Sequence, residues 1–439
     1  MKFLSAVFLL GALVQAPQGC CATSNVELER ARLLYDLGRT QAASKYYIAA
    51  GESFAGAAQS YKAVTKDQPR NYDAHLGLAS TYWQWAKCRD GDPLDTPDVK
   101  APPRLRDRAL EENKKALLLN PEGVQALALE GYIHQEFATR LWRARDEKRQ
   151  NVQIDLGVVA LRHALVQDPR DWHINLALCR LYELRAIDLY KYPERSLLWW
   201  KEAVQSGVSA SRESSLEQEP ALSLAEDQEM LADTYMRLGN LRDGRECFKA
   251  AIDVCQKFVD QNGMNAKGYE SLANAWLDLA HAQIKFDDTA GCEEALKNSM
   301  DAYDSVQRIN PNASLWRQKG TALYERAQLE KAQKKYDSAL RSLIESDLEY
   351  SKQWKLHNNV NMSCSWSGTC HELAEMYQQS GDDQRALRFY KKEAWSLNNF
   401  ARWFPSLKPQ VRLIEAKIKA LKLKLGDDED GNQNRLGKS

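Results

Sequence analysis

Glycine and proline are both scarce in this chain, with 22 and 13 copies among 439 residues. Since turn-rich β architectures need many such residues, their scarcity favours an all-α fold. The sequence also lacks an excess of either charge, because 60 basic residues balance 60 acidic ones. This balance argues against a dominant role in binding nucleic acid, which usually requires a surplus of basic residues.

Apolar runs long enough to span a bilayer are absent, and the N-terminal run is short. It covers twelve residues, Phe3 to Val14, follows Lys2 and precedes a polar stretch that leads to Ala22. This pattern predicts that residues 1–22 are a secretory signal peptide cleaved after Ala22, and that the protein is extracytoplasmic, either periplasmic or secreted. In the alternative, Cys20 ends a bacterial lipoprotein signal, and its lipidation would anchor the protein to a membrane.

Cysteines are too few and too scattered for a disulfide scaffold. Removal of residues 1–22 leaves seven of them: Cys88, Cys179, Cys247, Cys255, Cys292, Cys364 and Cys370. An odd number cannot pair completely within one chain. Cys364 and Cys370 flank the sequence SWSGT, which we expect to form a loop, so these two are candidates for a disulfide.

The stretch MLADTYMRLGNLRDGRECFKAAIDV, residues 230–254, has the pattern of a helical hairpin. At helical spacing, Leu231, Ala232 and Tyr235 form the apolar face of a first helix. The pair Gly239-Asn240 predicts a turn, and Phe248 lies on the apolar face of a second helix that begins near Gly244. Such a hairpin leaves half of its apolar surface uncovered, so it needs neighbours in a stack.

The order of these residues resembles the tetratricopeptide repeat family, in which a Leu-Ala pair and a Tyr precede Gly-Asn or Gly-Asp, and a small residue and an aromatic one follow. Two other segments carry similar residues: Ala31, Leu34, Gly38, Ala43, Tyr47 and Ala50, and then Leu373, Ala374, Tyr377, Gly381, Asp382, Ala386 and Tyr390. With partial copies, the resemblance covers about residues 25–400. It implies an all-α superhelical solenoid of antiparallel helix pairs, in which the repeats are irregular and partly elongated.

The composition along the chain divides it into segments. Val411, Ile414, Ile418, Leu421 and Leu425 recur at helical spacing, as expected of a helix that caps a solenoid. The serine-rich sequence from 206 onward interrupts the periodicity and predicts a joint. The predicted segments are 1–22 signal peptide, 23–205 N-terminal helical half, 206–222 joint, 223–405 C-terminal helical half, 406–425 capping helix and 426–439 disordered tail.

Two spacings depart from the repeat pattern. Gly131 and Gly157 are twenty-six residues apart, whereas the corresponding Ala232 and Gly244 are twelve apart. Trp276 and Tyr303 are twenty-seven apart, whereas Tyr235 and Phe248 are thirteen apart. We therefore expect some hairpins to have long arms that protrude from the stack. The proline-rich sequence at 89–104 is expected to be a loop.

Catalytic motifs are weak. No glycine-rich phosphate-binding loop follows a strand, and no set of residues indicates a catalytic triad. The string HELAE at 371–375 has Glu375 where a zinc protease needs its second histidine. Cys370, His371 and Glu375 together still leave open a metal- or redox-dependent accessory enzyme.

The resemblance implies that first helices line a surface that binds protein partners. The candidate residues on this predicted groove are His173, Arg180, Glu226, Glu229, Asp233, Glu270, Asn274, Arg317, His371 and Glu375. Because Glu226, Glu229 and Asp233 share one helix face, we expect a negative patch that binds a basic or amphipathic segment of a protein partner. The favoured function is a non-enzymatic scaffold or adaptor without a cofactor, which helps to assemble or position a larger complex.

Overall fold

The computed structural model describes residues 20–91, 101–214, 217–285, 288–357, 363–401 and 405–426. Within these ranges the backbone is helical and contains no strand. A short 3₁₀ helix at Pro405–Leu407 precedes the last of the α-helices. The α-helices are α1 Cys20–Ala43, α2 Tyr47–Asp67, α3 Tyr72–Gly91, α4 Ala101–Leu119, α5 Val124–Arg143, α6 Glu147–Gln167, α7 Trp172–Asp188, α8 Pro193–Glu213, α9 Gln218–Arg237, α10 Leu241–Gln261, α11 Ala266–Lys285, α12 Thr289–Ile309, α13 Trp316–Ala332, α14 Tyr336–His357, α15 Ser363–Gln379, α16 Asp383–Ala401 and α17 Lys408–Leu425.

Consecutive helices form antiparallel pairs, each an odd-numbered first helix followed by an even-numbered second helix. The chain divides into two compact units, residues 1–220 and residues 221–439. Within each unit, the second helix of a pair packs against the first helix that follows it, and the pairs thus form a stack. The predicted all-α solenoid of helix pairs is thus confirmed.

Five hairpin turns share one backbone conformation, in which a single residue adopts a left-handed φ. Two of them use glycine, Gly239 with φ 74° and Gly381 with φ 83°. The other three use basic residues, Lys45, Arg145 and Lys334, with φ between 59° and 63°. In each turn the next residue donates its backbone N–H to the carbonyl five residues earlier, at 2.8 to 3.0 Å, which satisfies a helix-terminal acceptor.

These turns reveal a regular repeat length. Arg145 and Gly239 are 94 residues apart, Gly239 and Lys334 are 95 apart, and Lys334 and Gly381 are 47 apart. One pair therefore occupies about 47 residues, compared with about 34 in a typical tetratricopeptide repeat. The elongation predicted for some repeats is thus found along the chain, and the first interval, 100 residues between Lys45 and Arg145, retains the predicted irregularity.

The expected protruding arms are also absent from the described hairpins. Helices α5 and α6 contain 20 and 21 residues, as do α9 and α10. A Cβ on Gly157 would lie 3.5 Å from the Gly131 carbonyl oxygen, so these two helices do approach closely there. The close approach in α9/α10, at Ala232 and Gly244, lies nearer the turn. The longer spacing between Gly131 and Gly157 thus means that α5 and α6 approach each other farther from their turn, although the two hairpins have equal length.

The N-terminal turn lies later in the sequence than the repeat pattern predicts. Gly38 lies within α1, where it makes room for the Phe54 ring, since a Cβ at Gly38 would be 2.8 Å from that ring. The turn itself is at Lys45. By contrast, the turns at Gly239 and Gly381 are placed as the repeat pattern predicts.

The predicted joint at 206–222 is mostly helical. Residues up to Glu213 continue α8, because Ala203, Gly207 and Ala210 extend its buried face at helical spacing. Helix α9 then begins at Gln218, and the boundary between the two units follows Pro220. Of the predicted loop at 89–104, residues 89–91 end α3 and residues 101–104 begin α4, whereas residues 92–100 lie outside the described residues.

Helix α17 covers the last pair, as predicted for a capping helix. Val411, Ile414 and Leu421 are buried, and Ile418 packs against the same core. None of the described helices has the length and apolar character required to cross a membrane. Residues 1–19 of the predicted signal peptide at 1–22 lie outside the described residues, as do the side chains of its residues 20–22 and residues 427–439 of the predicted tail.

Candidate functional site

The ten predicted groove residues all lie on first helices, but they belong to both units. His173 and Arg180 are on α7 of the first unit. The other eight lie in the second unit: Glu226, Glu229 and Asp233 on α9, Glu270 and Asn274 on α11, Arg317 on α13, and His371 and Glu375 on α15. They therefore form separate groups, which are described in turn.

The first group is a cluster of carboxylates around Glu229. Burial raises the pKa of Glu229 to about 9, and the neighbouring carboxylates of Asp278 and Glu226 add to this shift. Burial by the surrounding protein raises the pKa of Asp278 to about 6, although its side chain reaches the surface. His281 lowers the pKa of Asp278, while the Asp233 carboxylate raises it.

A histidine lies at the edge of this cluster. His281 Nδ1 is 3.0 Å from a carboxylate oxygen of Glu325, and this hydrogen bond raises the pKa of the imidazole. Glu325 also raises the pKa of Asp278. The cluster thus spans α9, α11 and α13, and we call it the acidic surface: Glu226, Glu229, Asp233, Asp278 and Glu325.

Spacing within one helix could identify only part of the acidic surface. Glu226, Glu229 and Asp233 follow from the helical period, whereas Asp278 and Glu325 lie on the two following first helices. They occupy neighbouring positions because each repeat adds about 47 residues, and Asp278 to Glu325 is 47 residues. The repeat length was the missing signal.

The next predicted residues lie in the N-terminal halves of two first helices, Glu270 and Asn274 in α11 and Arg317 in α13. Glu270 accepts a hydrogen bond of 3.4 Å from Gln318 and lies 3.6 Å from Lys267. Asn274 accepts one of 2.7 Å from the Tyr303 hydroxyl, which makes it a structural contact between α11 and α12.

His371 and Glu375 take part in contacts that close the C-terminal end of the stack. His371 Nδ1 lies 3.0 Å from the buried carboxylate of Glu393, whose hydrogen bond raises the pKa of His371. Burial would raise the pKa of Glu375, but hydrogen bonds from Lys417 and Tyr390 outweigh it and lower the pKa. Lys417 belongs to α17, so Glu375 links the last first helix to the cap.

Cys370 is separated from the other two residues of the alternative metal site. Its thiol is buried, and this burial, together with Asp347, raises its pKa well above the ordinary value. A thiol that stays protonated is a poor nucleophile and a poor metal ligand. Among the described residues, the ligand atoms of Cys370, His371 and Glu375 do not all three lie within 4.8 Å of one another.

The expected SWSGT loop is helical, because Ser363–Gln379 form one continuous helix. Cys364 and Cys370 are six residues apart on it, which corresponds to about 9 Å along the axis, beyond the reach of a disulfide. A bridge would require this helix to unwind. Trp366 explains why it stays wound, since the ring is buried and donates a hydrogen bond of 2.8 Å to Asp347. The side chain of Cys364 itself lies outside the described residues.

The first unit carries a second surface, which the sequence pattern did not identify. A cavity of about 710 Å³ is lined by side chains of α1, α3, α5 and α7. Trp83 stacks on Tyr132, and the Lys87 ammonium lies 4.6 Å from the centre of the Trp83 ring. We call this lining the aromatic surface; it includes Tyr35, Arg39, Trp83, Lys87, Tyr132, Arg143, Trp172, His173 and Arg180, together with the carboxylates of Glu136, Asp171 and Glu219.

His173 and Arg180 belong to this aromatic surface. The His173 ring stacks on Trp172 with 3.7 Å between ring centres, and Arg180 forms an ion pair with Glu219. Over the described residues, Arg39, Lys87 and Arg143 form no ion pair. Aromatic rings beside uncompensated cations are suited to binding an acidic segment.

Comparisons with known proteins support the fold. No protein-family model and no curated protein matches the chain. Among solved structures, it is similar to the nuclear import adaptor Nro1 of S. pombe, at 14% identity over 65% of this chain and 94% of that one, with a TM-score of 0.51. A tetratricopeptide repeat protein from Parabacteroides merdae ATCC 43184 covers 78% of this chain at 12% identity, with 99% of its own length covered and a TM-score of 0.35. At these identities the likeness is one of fold, which is of the paired-helix, tetratricopeptide-like type.

Proposed function

We propose that this protein is a non-enzymatic scaffold or adaptor that binds a basic or amphipathic segment of a protein partner. The observation that supports the proposal is the acidic surface of the second unit. Burial, and to a smaller extent the neighbouring carboxylates, raise the pKa values of Glu229 and Asp278, so a lysine or arginine from a partner would stabilise their charged forms. The same proposal includes a role in assembling or positioning a larger complex.

The aromatic surface supports the adaptor part of the proposal. It carries uncompensated cations, so it suits a segment of the opposite charge from the one that the acidic surface would bind. A protein with two such surfaces can hold two different segments. The metal- or redox-dependent alternative has less support, because the Cys370 thiol is buried and protonated.

An extracytoplasmic location is part of the proposal. It rests on the N-terminal sequence, a lysine followed by twelve apolar residues and a polar stretch that ends in small residues. Lipidation at Cys20 would keep the protein at a membrane on the same side.

The test neutralises the acidic surface and measures partner recovery. The variant Asp233→Asn with Asp278→Asn removes two carboxylates from it, and the matched control Asp253→Asn with Glu294→Gln removes two exposed ones from second helices. Each tagged protein is used to capture partners from the native compartment at low and moderate salt, followed by quantitative mass spectrometry.

We expect the acidic-surface variant to lose partners that the wild type and the control retain. Wild-type recovery should fall as salt rises, because exposed charges are screened. Equal recovery by the two variants at both salt concentrations, with unchanged circular dichroism, would exclude the acidic surface as the docking site.

A further inference from the structure

The outer face of α6 is apolar, unlike the outer faces of the second helices α10 and α12. Val152, Leu156, Val159 and Val166 expose between 47% and 73% of their surface. With His163 they recur at alternating spacings of four and three residues, so they form one continuous line along the helix. We call this line the α6 stripe.

The shared turn conformation supplies a comparison within the chain. Arg145 and Gly239 occupy equivalent positions, so each residue of α6 corresponds to the residue of α10 that follows it by 94. The residues of α10 that correspond to the stripe are Glu246, Ala250, Asp253, Lys257 and Asp260. Four of these five are charged, as is usual for a helix face that contacts water.

The exposed positions of α12 are likewise almost all polar. They are Thr289, Ala290, Glu293, Glu294, Lys297, Asp301, Asp304 and Arg308. A second helix of this fold therefore does not need an apolar outer face for its own packing. An exposed line of aliphatic side chains costs solubility unless something covers it.

From this pattern we infer that α6 is a self-association surface, which pairs with α6 of a second copy of the chain in antiparallel orientation. The ends of the stripe are symmetric about Val159, with Val152 seven residues before it and Val166 seven residues after, while Leu156 and His163 lie three before and four after. In an antiparallel crossing at Val159, each Val152 lies beside Val166 of the other copy. Leu156 then lies beside His163.

The charges that flank the stripe fit the same arrangement. Asp155 and Arg162 lie beside it, one turn on either side of its centre, and both side chains are mostly exposed. The crossing brings Asp155 of each copy near Arg162 of the other, and the two-fold symmetry makes this contact twice. A parallel pairing would instead place identical charges together.

Within one chain, both flanking residues already have partners of opposite charge. Asp155 pairs with Arg185, and Arg162 pairs with Glu202 at 3.0 Å and donates to the Tyr182 hydroxyl at 2.9 Å. These contacts hold the two side chains along the edges of the stripe. They leave the aliphatic centre open for the second copy.

Self-association through α6 does not involve the acidic surface. The substitutions that test it are taken from α10, a second helix of the same fold. The double variant Val152→Glu with Val159→Asp gives α6 the residues that α10 carries at the equivalent positions. Sedimentation of the full wild-type chain should show a mass that rises with concentration from one toward two copies. The double variant should remain a single copy with unchanged circular dichroism.

Cysteine substitutions test the orientation, because Val152→Cys would link two copies in a parallel pair but not in the antiparallel one, where each Val152 lies beside Val166 of the other copy. Val159→Cys places two thiols at the symmetric crossing point, so mild oxidation should link two copies covalently. The matched control, Asp253→Cys, lies on the outer face of α10 and should link far less. A wild-type chain that stays a single copy at all concentrations, or a dimer that survives in the double variant, would overturn the inference. Efficient linking by Val152→Cys would overturn the antiparallel orientation, and equal linking by Val159→Cys and Asp253→Cys would overturn the crossing at Val159.

Discussion

At the scale of single residues, Phe248 is the side chain on which the central hairpin most depends. It is buried between α9 and α10, whereas Tyr235, its counterpart on the first helix, is only half-buried. Phe248→Ala should lower the free energy of unfolding by about 3–5 kcal/mol, and Tyr235→Ala should cost less. Because repeat proteins unfold in parts, hydrogen exchange of α9 and α10 is the appropriate measurement. A control, Leu241→Ala, changes a side chain exposed at the start of α10. Exchange in Phe248→Ala no faster than in this control would contradict the packing.

Glu229 makes stability depend on pH. Its folded pKa of about 9 lies above its ordinary value of 4.5, so the folded state binds its proton more tightly than the unfolded state does. Stability should therefore decline as pH rises through this interval. Glu229→Gln removes the effect, so its melting temperature should exceed that of the wild type at pH 8, with a smaller difference at pH 5. Glu294→Gln, at an exposed position of α12, is the control. A difference between Glu229→Gln and wild type that does not grow with pH would argue against a protonated Glu229.

At the scale of elements, the sequence predicted hairpins where glycine forms the turn and missed the turn where a basic residue does. Gly239 and Gly381 carry the recognisable signal, whereas Lys45, Arg145 and Lys334 adopt the same left-handed conformation without it. Local sequence does not encode such a conformation in a lysine, because the packing of the two helices imposes it. The same limit applied to the acidic surface. Its α9 residues follow from helical spacing, but Asp278 and Glu325 reach it only through the stacking of repeats.

The left-handed turn at Lys334 should be strained. A residue with a Cβ loses about 1–2 kcal/mol in this conformation, and glycine recovers most of it while adding freedom to the unfolded chain. Lys334→Gly should therefore raise stability by about 0.5–1 kcal/mol. Lys297→Gly, in the exposed middle of α12, should lower it by about 1 kcal/mol. Denaturation followed by circular dichroism gives both values. Destabilisation by both substitutions would mean that this turn is not strained.

Helix α17 stabilises the end of the stack mainly through its apolar face. Ile414 is almost completely buried, whereas the adjacent Leu413 is exposed. Ile414→Ala should cost about 2–5 kcal/mol, and Leu413→Ala should have little effect. Hydrogen exchange of α16 and α17 should accelerate in the first variant alone. Similar exchange in both variants would show that α17 does not cap the stack through this face.

At the scale of the whole molecule, the proposed export predicts a processed chain. N-terminal sequencing of the protein from its own host should begin near Thr23, because the signal peptide is expected to be cleaved after Ala22. An acylated Cys20 as the first residue would assign the protein to the lipid-anchored alternative. An intact Met1 on a protein from the cytoplasm would refute export.

The equal spacing of the turns also bears on how a chain of this kind gains or loses length. Lys334 and Gly381 have the same backbone conformation 47 residues apart, so excision of residues 335–381 would join α13 to α16 through an unchanged turn. Helices α14 and α15 would leave together, and α16 would bring its covering helix with it. Duplication or loss of 47-residue cassettes therefore needs no new loop. Each cassette can then diverge on its outer face, which makes the apolar face of α6 a property of one cassette and not of the fold.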